Sequence, residues 1–190
     1  MWRTTALAVA TALVVLGLGT APAGAETFQH RDKTHDVNDT STPPCPTCSP
    51  VTPAPTNRTE DIVGFRVDFR SSSLKLRLGT RAAPADSPVP DVFWSVHTSK
   101  LDLVVEVGVG KRGRPHVRVA GGGQKCSDTR AAFSNQPRRW TVDLSLTCLR
   151  DAPWVQVGAM TLAGTFGDDA LIDGPTCCQA PAPSPKVARG

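Results

Sequence analysis

The run "RRWTVDLSLTCL" sets Trp140, Val142, Leu144, Leu146 and Cys148 at every second position, with Thr141, Asp143, Ser145 and Thr147 between them. An extended chain points successive side chains to opposite faces, so this spacing describes a strand with one buried and one wet face. A helix would scatter the same residues around its circumference. The period recurs along the chain. In "GFRVDFR", Phe65, Val67 and Phe69 face one way and Arg66, Asp68 and Arg70 the other. "LKLRLG" points Leu74, Leu76 and Leu78 inward. "LDLVVEVGVG" does so with Leu101, Leu103, Val105, Val107 and Val109, and "RPHVRVAG" with Val117 and Val119. "DVFWSVHTS" and "WVQVGAMTLAG" are rich in strand formers. The turns "GKRG", "AGGGQ", "SNQP" and "RDAP" separate these runs. No segment has a sustained helical period, although "SDTRAAF" is compatible with one turn. About seven short strands, each with a defined apolar face, predict an all-β antiparallel β-sandwich, with a barrel as the alternative.

The patterning is confined to residues 60–175, and both flanks read differently. Residues 1–25 carry Arg3, an apolar run from Ala6 to Gly19 and the small residues Ala23-Gly24-Ala25, the layout of a secretory signal peptide. The apolar run falls short of the roughly 18 residues that a membrane span needs. No second long apolar run follows, so no membrane span is expected after signal removal. Residues 26–59 form a polar, Pro- and Thr-rich leader expected to be disordered, and residues 176–190 a Pro-rich tail of the same kind. The formal net charge of +4 is too mild to suggest a nucleic-acid partner. Arginine outnumbers lysine and tyrosine is absent, a bias that fits a GC-rich genome.

Six cysteines in an exported chain are expected to form disulfides, and six allow fifteen pairings. Cys126 and Cys148 are the two inside the patterned stretch and are expected to bond, a loop closure worth about 3 kcal/mol. Cys45 and Cys48 in "TPPCPTCSP" and the vicinal Cys177 and Cys178 are expected to strap leader to tail. A Cys45–Cys48 bridge with a Cys177–Cys178 bridge stays open, as does a four-cysteine zinc site. A redox role for the C-x-x-C would need a βαβ context, which the proline-rich flanks do not supply.

No nucleophile elbow, zinc-protease motif, P-loop or dinucleotide fingerprint occurs. His97, Ser95 and Asp91 can be grouped on paper, but they read as ordinary polar strand positions. His30, Asp32, His35, Asp36 and Asp39 are metal-competent side chains. In a disordered leader they would bear the whole ordering cost of binding, so little affinity is expected. Glu60, Asp61, Asp168, Asp169 and Asp173 bracket the domain with hard oxygen donors and are the calcium candidates. No other cofactor is expected. Trp94 and Trp154 are candidate stacking surfaces, whereas Trp140 shares an apolar strand face and is expected in the core. Lys111, Arg112 and Arg114, with Arg118, form a basic hairpin suited to phosphate-bearing wall polymers or simply to solubility.

The stretches "DIVGFRVDFRSSSLKLRL", "GGGQKCSDTR" and "RRWTVDLSLTCLRDAPWVQVGAM" together resemble small secreted actinobacterial β-sandwich domains, found alone or appended to exported hydrolases and proteases. Cys126, Cys148-Leu149, Pro153 and "WVQVGA" carry the likeness, which spans roughly Asp61 to Gly174. It implies a sandwich fold and export, and it brings no catalytic motif. The expected function is a secreted, non-enzymatic binding or accessory module at the cell envelope, meeting a wall polymer or a secreted protein. The alternative is a disulfide-stapled inhibitor of extracellular proteases, with Arg130 on the loop from Cys126 to Pro137 and Lys125 flanking it.

Overall fold

The computed structural model describes residues 26–39, 52–81, 88–110, 112–123, 126–163, 166–169 and 183–190. Among them there is no helix, so none is long and apolar enough to cross a membrane. The alternating runs form β4 (Ile62–Phe69), β5 (Ser73–Thr80), β6 (Asp91–Thr98), β7 (Asp102–Val109), β8 (Pro115–Gly121), β10 (Arg138–Ser145) and β11 (Trp154–Ala163). The segment compatible with a helical turn instead opens β9 (Arg130–Asn135), because pairing with β10 satisfies its backbone and sets Phe133 on Trp140, 4.7 Å between ring centres. Shorter elements are β1 (Glu26–His30), β2 (Asn38–Asp39), β3 (Thr52–Pro53), β12 (Phe166–Asp169) and β13 (Val187–Ala188).

All pairings are antiparallel. One sheet has the order β1-β4-β5-β10-β9. The other has the order β3-β2-β12-β11-β6-β7-β8, with β13 also on β11. The chain is therefore an all-β antiparallel sandwich. Its inner layers are the apolar faces read from the sequence. Phe65, Val67 and Phe69 of β4, Leu74, Leu76 and Leu78 of β5, and Trp140, Val142 and Leu144 of β10 are buried. They meet Val92, Trp94 and Val96 of β6, Leu103, Val105 and Val107 of β7, and Val155, Val157 and Ala159 of β11.

Trp94 corrects the sequence reading. It is 0 % exposed and offers no stacking surface. In "VFWSV" apolar residues are consecutive, so alternation does not say which of Phe93 and Trp94 turns inward. Pairing with β7 and β11 decides it, since Val92, Trp94 and Val96 share the inner face. Trp140 is buried as expected, and neither indole Nε1 has a hydrogen-bond partner among the described residues.

The described parts of the leader and tail, residues 26–39, 52–59 and 183–190, contribute strands to the sheets. β1 pairs along β4 from Glu26–Phe69 to His30–Phe65, and Phe28 packs edge-on against Phe65, 6.1 Å between ring centres. At the other end, Val187 is buried against the core and Ser184 exchanges hydrogen bonds with the backbone of Val157. The reason is edge pairing: β4 and part of β11 would otherwise present unpaired N–H and C=O groups.

The disulfide Cys126–Cys148 forms as expected, with 5.1 Å between Cα atoms. It ties the loop before β9 to the β10–β11 connection. Nearby, Gly121, Gly122 and Gly123 take φ values of +96°, +61° and +63°, which side chains other than glycine resist. Arg150 holds that turn by donating to the Gly122 carbonyl at 2.8 Å.

Candidate functional site

The outer face of the five-stranded sheet can be laid out row by row from its register. One row runs Thr27, Asp68, Lys75, Asp143 and Arg130 across β1, β4, β5, β10 and β9. It is balanced in charge, with Lys75 3.4 Å from Asp143. The next row is Gln29, Arg66, Arg77, Thr141 and Ala132 and contains no acid. The third is Gly64, Gly79, Arg139 and Ser134, with Arg31 just beyond the end of β1.

These last two rows enclose a cleft of about 370 Å³. Its floor exists because two adjacent positions lack a Cβ. Val63 forms one side for a different reason. The β4–β5 register shifts between Ile62 and Gly64, so one extra residue bulges out. Strict alternation would bury Val63 beside Phe65; the bulge instead buries Ile62 and leaves Val63 37 % exposed.

Arg66 and Arg77 are held in place from the neighbouring row. Asp68 is buried and accepts from Arg66 Nε at 2.9 Å, Arg77 Nη1 at 2.6 Å and Thr27 Oγ1 at 2.9 Å. Burial alone would raise its pKa. Hydrogen bonds from Arg66 and Thr27, and the charges of Arg66 and Arg77, overcome this and hold the carboxyl below its ordinary value. One carboxylate thus neutralises half of the charge of two arginines. Arg31 and Arg139, both exposed, make no ion pair with any described residue. The cleft is consequently cationic, partly apolar and open to solvent.

A second constellation is acidic. Carboxylate oxygens of Asp32, Asp36 and Asp168 lie within 4.8 Å of one another, with Asp168 buried and the other two half-buried. Asp168 Oδ2 also accepts the Ile62 N–H at 2.7 Å. Hard oxygen donors in this arrangement suit calcium or magnesium. Of the three described residues among the five expected to hold calcium, Glu60, Asp61 and Asp168, only Asp168 belongs to this group. Asp61 is wholly buried and turns to the His35 N–H at 3.2 Å and to Arg81 at 3.3 Å. Glu60 is 2 % exposed, its Oε2 has no hydrogen-bond partner among the described residues, and burial foremost raises its pKa against the opposing effects of backbone and Asn57 hydrogen bonds and the Arg138 charge. The Asp169 side chain and Asp173 lie outside the described residues. In a disordered leader Asp32 and Asp36 would have to be ordered on binding, which is why little metal affinity is expected of them from sequence. The ordered run from β1 to β2 removes that objection. Within it, His35 adopts φ +74°, and its N–H meets Asp61.

The remaining candidates are scattered. Trp154 is half-buried, and Lys186 Nζ sits 4.3 Å from its ring centre. Arg112 and Arg114 are exposed on the β7–β8 hairpin of the other sheet, away from the cleft rows. Arg130 begins an edge strand rather than capping a protruding loop. His97 Nδ1 meets Asp102 Oδ1 at 3.0 Å on the surface, whereas Ser95 is 6 % exposed. Lys111, Lys125, Cys45, Cys48, Cys177 and Cys178 lie outside the described residues. The sequence reading missed the cleft. Its signal was the polar parity of Arg66, Arg77 and Arg139, which becomes a surface only once the cross-strand register is known.

No protein-family model matches the chain, and no curated protein or solved structure matches it either.

Proposed function

We propose that the protein is a secreted, non-enzymatic binding or accessory module that acts at the cell envelope. The observation that carries this reading is the open cleft with cationic walls on the outer face of a paired sheet. A sheet fixes its side chains well enough to recognise a ligand without rearranging. The signal-like N-terminus and the resemblance to exported sandwich domains support the location. Incubating the mature protein with isolated cell walls, beside a panel of secreted proteases, tests it. Retention on the walls is expected. Inhibition of a protease without wall retention would replace this reading with the inhibitor alternative.

A structural calcium ion is the second part of the proposal, held by Asp32, Asp36 and Asp168. It would join the loop after β1 to β12, strands of opposite sheets. Calcium should raise the thermal unfolding midpoint and a chelator should lower it. An ion present at a hundred times its dissociation constant stabilises by about 2.7 kcal/mol. The variant with Asp32→Asn and Asp36→Asn should lose this response. An unfolding midpoint indifferent to calcium in the parent protein would remove the ion from the account.

A further inference from the structure

We propose that the cleft on the five-stranded sheet binds the phosphate groups of a phosphodiester-linked polyol or sugar chain, with Arg31 and Arg139 as the groups that meet the phosphate. This rests on the envelope-binding reading and names its ligand.

The division of labour among the four arginines is the starting point. Arg66 and Arg77 are already hydrogen-bonded to Asp68, so they define the wall and supply field. Arg31 and Arg139 are committed to no acid among the described residues, and they approach from β1 and β10, on opposite sides of Gly64 and Gly79. A planar carboxylate presents both oxygens to one side and is satisfied by a single guanidinium fork. A tetrahedral phosphodiester presents its two free oxygens in different directions. Two forks arriving from opposite sides fit it better.

Size and polarity extend the argument from an ion to a chain. A cleft of about 370 Å³ has more room than one phosphate fills. Val63 offers its exposed methyls, and the glycine pair leaves the backbone bare, so carbon-bearing units on either side of the phosphate have something to rest on. The cleft is open, as a chain passing through it requires.

Titration calorimetry on the mature protein tests the assignment with a synthetic poly(glycerol phosphate) of about six repeats, a length that overruns the cleft on both sides. Polygalacturonate serves as the carboxylate comparison. Poly(glycerol phosphate) should bind, and polygalacturonate should bind at least tenfold more weakly. The variant with Arg31→Gln and Arg139→Gln should lose at least tenfold in affinity. Gly79→Val should also weaken binding while leaving the fold intact, because a Cβ there makes only ordinary van der Waals contacts, with Val63 Cγ2 at 3.5 Å, the Arg138 carbonyl at 3.7 Å and the Gly64 carbonyl at 3.9 Å, at a position that lines the cleft. Arg112→Gln with Arg114→Gln, on the other sheet, should bind like the parent. Equal binding of the two polymers, or parental affinity in the Arg31/Arg139 variant, overturns the assignment. Wall retention without poly(glycerol phosphate) binding overturns it too, and leaves the envelope reading standing. Poly(glycerol phosphate) binding without wall retention supports the ligand class and removes the envelope reading instead.

Discussion

Replacing Cys126 and Cys148 together by alanine is expected to lower stability by about 2–5 kcal/mol, the usual cost of losing a native bridge from a small secreted domain. The bond joins positions 22 residues apart. Breaking it returns loop-closure entropy to the unfolded chain and loosens the folded one. Cys148 is buried beside Leu149, at the edge of the core. The β10–β11 connection to which it belongs includes Arg150 and Asp151, both at φ +51°, a conformation these residues do not favour alone. Arg150 from this connection also clamps the glycine turn that follows β8. Thermal unfolding under oxidising conditions checks the value. A double variant within about 1 kcal/mol of the parent, below the range for native bridges, would mean that the hydrogen bonds Cys148 N–Ser145 O and Leu149 N–Leu146 O hold the turn unaided.

The second large effect concerns the ends of the chain. A protein in which residues 26–30 are replaced by a glycine-serine stretch and which stops after residue 182 should lose about 3–6 kcal/mol, from lost burial and hydrogen bonds less the ordering entropy regained. β1 contributes a five-residue ladder on β4, the Phe28–Phe65 contact and the Thr27 hydroxyl on Asp68. The C-terminal segment contributes buried Val187, the Ser184–Val157 pair and the Gly190 N–H on the Phe69 carbonyl at 3.2 Å. The two ends also meet, since Glu26 Oε2 accepts the Ala188 N–H at 2.7 Å. Calorimetry on the single and double truncations measures both terms. A loss smaller than the sum of the single truncations is expected, because the contact between the two ends is removed by either truncation and the sum counts it twice. A double truncation as stable as the parent would return both segments to the status of tails.

The sequence by itself determined the seven longer strands of the two sheets and most of their inner faces. Period-two alternation from Phe65 to Phe69, Leu74 to Leu78 and Trp140 to Leu144 is local chemistry, and each run declares its buried side without reference to any other. The same locality made Cys126 and Cys148 a pair, as the two cysteines within the patterned stretch. Alternation failed where a run was apolar on both parities, as at Phe93-Trp94, and where a bulge reversed it, as at Val63. It failed also at Arg130–Asn135 and Glu26–His30, whose strand character comes from pairing with β10 and β4 rather than from their own composition. Only the tertiary structure decided the two candidate sites. The cleft needs Arg66 opposite Arg77, Gly64 opposite Gly79 and Arg139 beside them, and cross-strand register is a relation between segments that neither segment encodes alone. The acidic group needs Asp32 and Asp36 brought to Asp168 across more than half of the chain. Such a meeting depends on which strands become neighbours, and packing of the whole core sets that choice.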